Sequence, residues 1–226
     1  MVVLIMIKFI IIRVSKKLKY LINKPVSNQN NLKVIFLLHG YGSNEEDLYS
    51  LKEIIPSNYV IISFRAPITI GFNSYAWYSI NFENNIDRWI DVDEAINSKN
   101  IVINDILLHL KDLEIVNERA SILGFSQGAI LSWSIGIEHP DLIKNIIPLS
   151  GFYHPEITSN NLNSKFSLNC FSSHGINDEV IPIDWARRGI QILGKKNINV
   201  EFNEYQSGHE ISKENLRDVI KWLNKN

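Results

Sequence analysis

Three continuous apolar runs constrain this chain most: Val-Ile-Phe-Leu-Leu at 34–38, Tyr-Val-Ile-Ile-Ser-Phe at 59–64 and Ala-Ser-Ile-Leu-Gly-Phe at 120–125. None alternates as a strand with one wet face does, so each reads as a strand covered on both sides. Segments with helical spacing stand between them. Along the chain, strands are expected over 17–22, 34–38, 59–64, 120–125, 145–149, 170–172 and 200–205. Helices are expected over 45–55, 94–116, 127–138, 184–193 and 213–223, with the third stopping before Pro140. Residues 66–91 form a long irregular stretch crowded with aromatics. Strand–helix alternation predicts an α/β fold, a mainly parallel sheet with helices on both faces. In such folds function sits in loops at the C-terminal ends of the strands.

Composition narrows the function classes. Hydrophobic residues make up 45% of the 226 and charged ones 21%, enough to build one sizeable core, so residues 17–226 are expected to form one domain. Lys+Arg total 23 against Asp+Glu 24, which removes the electrostatic ground for a nucleic-acid partner. The lone cysteine, Cys170, excludes an internal disulfide and a cysteine-rich metal site. Residues 1–14 are strongly apolar but broken by Lys8 and Arg13, too short for a spanning helix and without a signal-peptide cleavage site. They read as a leading strand or as a non-native start ahead of the domain, and membrane attachment through them is the minority view. A cytoplasmic location is expected.

Gly124-Phe125-Ser126-Gln127-Gly128 is the most informative stretch, a G-x-S-x-G between an expected strand and an expected helix. A serine at such a turn is held in a strained backbone conformation that lifts its Oγ above the sheet, and only glycines fit on either side. Serine alone is a poor nucleophile and needs a base oriented by an acid. In this sheet type the partners follow in the order Ser, acid, His. Of the six histidines, His174 and His209 follow Ser126 at expected strand ends. His209 is favoured as base, because His174 precedes the acid and reads as a hydrogen-bonded loop histidine. Asp178 is favoured as acid over Glu179 and Asp184, and Asp184 reads better as the N-cap of its helix.

The loop His39-Gly40-Tyr41-Gly42 follows strand 34–38. Its glycines let the backbone fold close to the serine, so the Tyr41 N–H and the Gln127 N–H are the expected oxyanion donors. Ser43 and Glu46 have the spacing of a capping box. A phosphate-cradling loop is the rival reading. It fails because Glu45 occupies the third glycine position, and Glu46 and Asp47 add further negative charge.

Together these pieces resemble the phospholipase/carboxylesterase family of α/β-hydrolases, which includes the acyl-protein thioesterases. The likeness rests on Leu37-Leu38-His39-Gly40-Tyr41-Gly42, on Gly124 to Ala129, on His174-Gly175-Ile176-Asn177-Asp178-Glu179-Val180-Ile181-Pro182, and on Ser207-Gly208-His209. Pro148-Leu149-Ser150-Gly151 also looks like the family's strand end near the site. The resemblance implies Ser126 as nucleophile, His209 as base, Asp178 as orienting acid, and Tyr41 and Gln127 at the oxyanion hole. It implies hydrolysis of a small-molecule ester or thioester with no cofactor and no metal. A homodimer is left open.

Between 72 and 89 stand Phe72, Tyr75, Trp77, Tyr78, Phe82 and Trp89. Packing is the default for such a cluster; the resemblance places Trp77 near the site, so Trp77 and, more weakly, Phe152 and Tyr153 are pocket candidates. The expected function is a carboxylesterase-type serine hydrolase acting on short to medium acyl chains. The alternatives are an acyl-protein thioesterase, a lysophospholipase, and a non-catalytic member of the fold.

Overall fold

The computed structural model describes residues 18–25, 32–81, 89–115, 118–159 and 167–226. The expectations placed on residues 1–14, on the start of the first strand, on Phe82 and on Val116 lie outside these residues, and the helix expected over 94–116 ends early, at Asp112, with Leu113 as its C-cap.

The apolar runs form the centre of one seven-stranded sheet. Its strands are β1 (Tyr20–Asn23), β2 (Lys33–Leu38), β3 (Tyr59–Phe64), β6 (Ala120–Phe125), β7 (Ile143–Leu149), β8 (Asn169–Gly175) and β9 (Glu201–Tyr205). The spatial order is β1-β3-β2-β6-β7-β8-β9, parallel throughout except for β1, which pairs antiparallel with β3. A separate hairpin, β4 (Ile68–Gly71) with β5 (Ser74–Ala76), occupies part of the stretch expected to be irregular.

Successive residues of a strand point to opposite faces, so each continuous apolar run feeds two cores. On one side Val34, Phe36, Phe64 and Ile122 pack with α2 (Val92–Asp112), α3 (Gln127–Glu138) and Leu193 of α4 (Ile183–Lys195). On the other, Ile35, Leu37, Ile61, Leu123 and Phe171 pack with α1 (Glu46–Tyr49) and with Val219, Trp222 and Leu223 of α5 (Lys213–Leu223). This is an α/β-hydrolase fold. No helix among the described residues is long and apolar enough to cross a membrane.

Several local expectations are corrected. The helix expected over 45–55 breaks after α1 into a 3-10 turn, Ser50–Glu53, where the Ser50 hydroxyl donates to the Asp47 carbonyl and tightens the chain. The capping box is not made: Ser43 Oγ donates to Asp47, and the Glu46 N–H is taken by the Asn44 side chain at 2.9 Å. Helix α2 starts two residues before the expected 94, because Asp91 accepts the Glu94 N–H at 2.9 Å. Pro182, not Asp184, precedes α4, and Asp184 in its first turn pairs with Arg187 at 3.0 Å. Strand β8 runs on to Gly175, so His174 is a strand residue rather than a loop residue.

Candidate active site

Ser126 stands between β6 and α3 with φ 54° and ψ −115°, a conformation that non-glycine residues rarely adopt. Its N–H donates to the Leu149 carbonyl at 2.9 Å, tying the strained turn to the end of β7. The flanking glycines mark close backbone approach. A Cβ at 124 would strike the Gly128 carbonyl, and one at 128 would strike the carbonyl oxygen of Leu38. Helix α3 therefore begins pressed against the end of β2, which brings the loop after β2 beside Ser126.

The other two motifs arrive from the ends of β8 and β9. His209 Nε2 lies 2.8 Å from Ser126 Oγ, and His209 Nδ1 lies 2.7 Å from Asp178 Oδ2. The carboxylate beside Nδ1 assigns the ring hydrogen to that nitrogen and leaves the Nε2 lone pair facing the hydroxyl. The other carboxylate oxygen, Oδ1, accepts the backbone N–H groups of Val180 at 2.9 Å and Ile181 at 2.8 Å. Burial acts to raise the Asp178 pKa, yet the hydrogen bonds from His174, His209 and the Ile181 N–H outweigh it and hold the carboxyl well below its usual range. Ser150, itself at φ 52° after β7, donates its hydroxyl to the Glu210 carbonyl at 3.4 Å and so steadies the loop that carries His209.

Glu179 and Asp184, the rival acids, are exposed. His174, read as a loop histidine, is buried in β8 with Nε2 2.7 Å from the Ile181 carbonyl and 3.1 Å from Asp178 Oδ2. Its contact with Asp178 is what sequence reasoning missed, because the two side chains meet only where the chain folds back after β8. Cys170 is buried and burial pushes its thiol up to about 12, which keeps it protonated and unreactive at neutral pH.

Facing Ser126 is the loop after β2. Gly42 takes φ +80° there, and the Tyr41 side chain is exposed. Gln127 is fully buried at the start of α3. Trp77 is also fully buried, with its indole N–H on the His39 carbonyl at 2.9 Å, so it packs in the core beside this loop. Phe152 and Tyr153 line a small cavity of about 50 Å³ together with Trp185, Gly189 and Ile192 of α4.

The acyl-protein thioesterase 1 of Candida albicans is 30% identical over 219 residues, covering 88% of this chain and 94% of that protein. The acyl-protein thioesterase 1 homolog 1 of Dictyostelium discoideum is 29% identical over 205 residues, covering 84% and 89%. Among solved structures, esterase PE8 superposes with a TM-score of 0.83 at 23% identity, over 93% of this chain and 99% of that one. The carboxylesterase of Bacillus cereus gives 0.74 at 19% identity, over 92% and 94%, a likeness of fold. The phospholipase/carboxylesterase family matches residues 22–226, nearly the whole described chain, and this protein belongs to that family of hydrolases.

Proposed function

We propose that this protein is a serine hydrolase that cleaves carboxylic esters of short to medium acyl chains through an acyl-enzyme intermediate. The observation that carries the reading is the continuous relay from Ser126 Oγ through His209 to Asp178, at 2.8 and 2.7 Å. In the first half-reaction His209 Nε2 takes the Ser126 proton as Oγ attacks the ester carbonyl. The Tyr41 and Gln127 N–H groups receive the developing oxyanion, and Asp178 holds the imidazole in the tautomer that can act as base. His209 then gives the proton to the departing alcohol. In the second half-reaction the same imidazole activates water, and the acid leaves while Ser126 regains its proton.

The relatives' names support a second reading, in which the leaving group is the thiol of an acylated protein. A lysophospholipid would present the same acyl ester with a larger alcohol. Steady-state rates on soluble esters and acyl-thioesters of increasing chain length separate the three. Ser126→Ala tests the core of the proposal: turnover falls by at least about a thousandfold, fluorophosphonate labelling disappears and the fold stays intact. Labelling at any other residue, or near-normal turnover of the variant, overturns it.

A further inference from the structure

Two consecutive peptide planes in the loop after β2 are each held by a side chain. The Trp77 indole N–H donates to the His39 carbonyl at 2.9 Å, which sets the plane of the 39–40 peptide. His39 Nδ1 lies 2.7 Å from the Gly40 carbonyl, while its Nε2 accepts the Ala66 N–H at 3.0 Å. A nitrogen that accepts from a backbone N–H carries no hydrogen, so the ring hydrogen sits on Nδ1 and donates to Gly40. In a planar trans peptide the carbonyl and the following N–H point in opposite directions. Holding the Gly40 carbonyl toward the His39 ring therefore aims the Tyr41 N–H away from it.

The segment that carries Trp77 also grips the residue after the nucleophile. The Gln127 side chain accepts the Trp77 N–H at 2.7 Å and donates to the Tyr78 carbonyl at 2.6 Å. Two further bonds stitch the same segment to the loop: Gly42 N–H to the Tyr75 carbonyl and Tyr75 N–H to the Ser43 carbonyl, both 2.9 Å. On its far side the Ser98 hydroxyl of α2 donates to the Trp77 carbonyl. His39, Trp77, Tyr78 and Gln127 are all fully buried, so water does not compete for these bonds.

We infer that Trp77 and the Gln127 side chain are positioning residues that lock the Tyr41 and Gln127 N–H groups in register with each other, so that both donors point at one oxygen before substrate arrives. The inference rests on the proposed roles of Ser126 and the two N–H groups and adds what sets their aim. A donor aligned in advance stabilises the developing charge without reorganisation during the reaction. Losing the clamp therefore weakens the transition state more than the ground state.

Trp77→Phe keeps a ring and deletes the N–H; Gln127→Met keeps the length and the backbone N–H and deletes the side-chain bonds. Each is expected to lower kcat by roughly ten- to a hundredfold with KM changed less than about twofold, below the cost of deleting a donor outright. Affinity for an alkyl boronic acid, which forms a tetrahedral adduct on a serine, falls by a similar factor. The double variant loses less than the product of the single effects, because the two side chains hold one segment. Near-normal kcat and boronate affinity in a folded Trp77→Phe protein would overturn the inference, as would a loss confined to KM; should Trp77→Phe fail to fold, the same two readouts on Gln127→Met decide. Ser126→Ala is run in parallel: if that variant keeps its labelling, the underlying reading has failed, whereas its loss beside an unimpaired Trp77→Phe sinks the clamp alone.

Discussion

The Nε2 atom of His174 lies 3.1 Å from Oδ2 of Asp178, the same oxygen that stands 2.7 Å from His209 Nδ1. With two backbone N–H groups on Oδ1, the carboxylate is surrounded by nitrogen and its side chain is out of contact with solvent. An amide in its place would offer a donor where an acceptor is needed and would favour the wrong tautomer of His209. Asp178→Asn is therefore expected to lower kcat by about a thousandfold to ten-thousandfold with KM little changed. Initial rates on a nitrophenyl ester check this, and a loss of less than about tenfold would remove Asp178 from the relay.

The same surroundings make stability depend on pH. The folded state holds the Asp178 carboxyl well below its usual range, so it stays ionised in acid that would protonate it in the unfolded chain. Its contribution to stability is full above about pH 4, the ordinary value for an aspartate, and is lost as pH falls from there through the folded value. Urea unfolding at a series of pH values from about 6 down to about 3 should show wild type losing more stability than Asp178→Asn across the lower part of that range. Parallel slopes for the two proteins would mean that Asp178 titrates alike in both states.

Much of this is legible in the sequence. Strands 59–64 and 120–125 and helix 213–223 fall where expected, because a continuous apolar run or a capped amphipathic stretch carries its own signature, and helix 127–138 falls where expected because the G-x-S-x-G turn and Pro140 bound it. The strand expected over 170–172 stops short of the end of β8 because Ser173 and His174 are polar; both are fully buried, a property local pattern cannot report. The β4–β5 hairpin was missed because its outer residues Ile70 and Phe72 are exposed, and Phe72 wholly so, which defeats the in–out alternation. Within the site, Ser126, Asp178 and His209 each stand in a motif that announces them. The contacts of Trp77 with His39 and of His174 with Asp178 depend on how distant or folded-back segments meet, and no spacing rule encodes that.

Two glycines separate close approach from mere propensity. A Cβ at Gly128 would be driven into the Leu38 carbonyl, with backbone on both sides unable to yield, whereas one at Gly194 in α4 meets nothing within 4 Å. Gly128→Ala should cost about 2 kcal/mol or more, roughly 4–8 °C in Tm, and displace the loop after β2. Gly194→Ala should gain about 0.5–1 kcal/mol by removing unfolded-state freedom from a helical position. Thermal melts of the two variants against wild type read both signs. Equal effects would show that helix α3 does not press on β2 as described.

A buried ion pair far from the serine offers a test of what holds α2 to α3. Lys99 Nζ lies 2.8 Å from Glu138 Oε1 and donates to the Ile157 carbonyl at 2.6 Å, and Glu138 also accepts the Ser159 N–H. The side chains are only 6% and 8% exposed, so neither charge can be rehydrated if its partner is removed. Glu138→Ala should destabilise the fold by about 3–5 kcal/mol, because it strands an ammonium in the interior. Replacing both, Lys99→Met with Glu138→Leu, should recover much of that loss, since it removes the desolvation of two charges together. The urea midpoints of Glu138→Ala, Lys99→Met, Glu138→Leu and the paired replacement decide the matter. A paired variant no more stable than the worse of its two singles would show that the backbone bonds to Ile157 and Ser159, rather than the ion pair, fasten this end of the molecule.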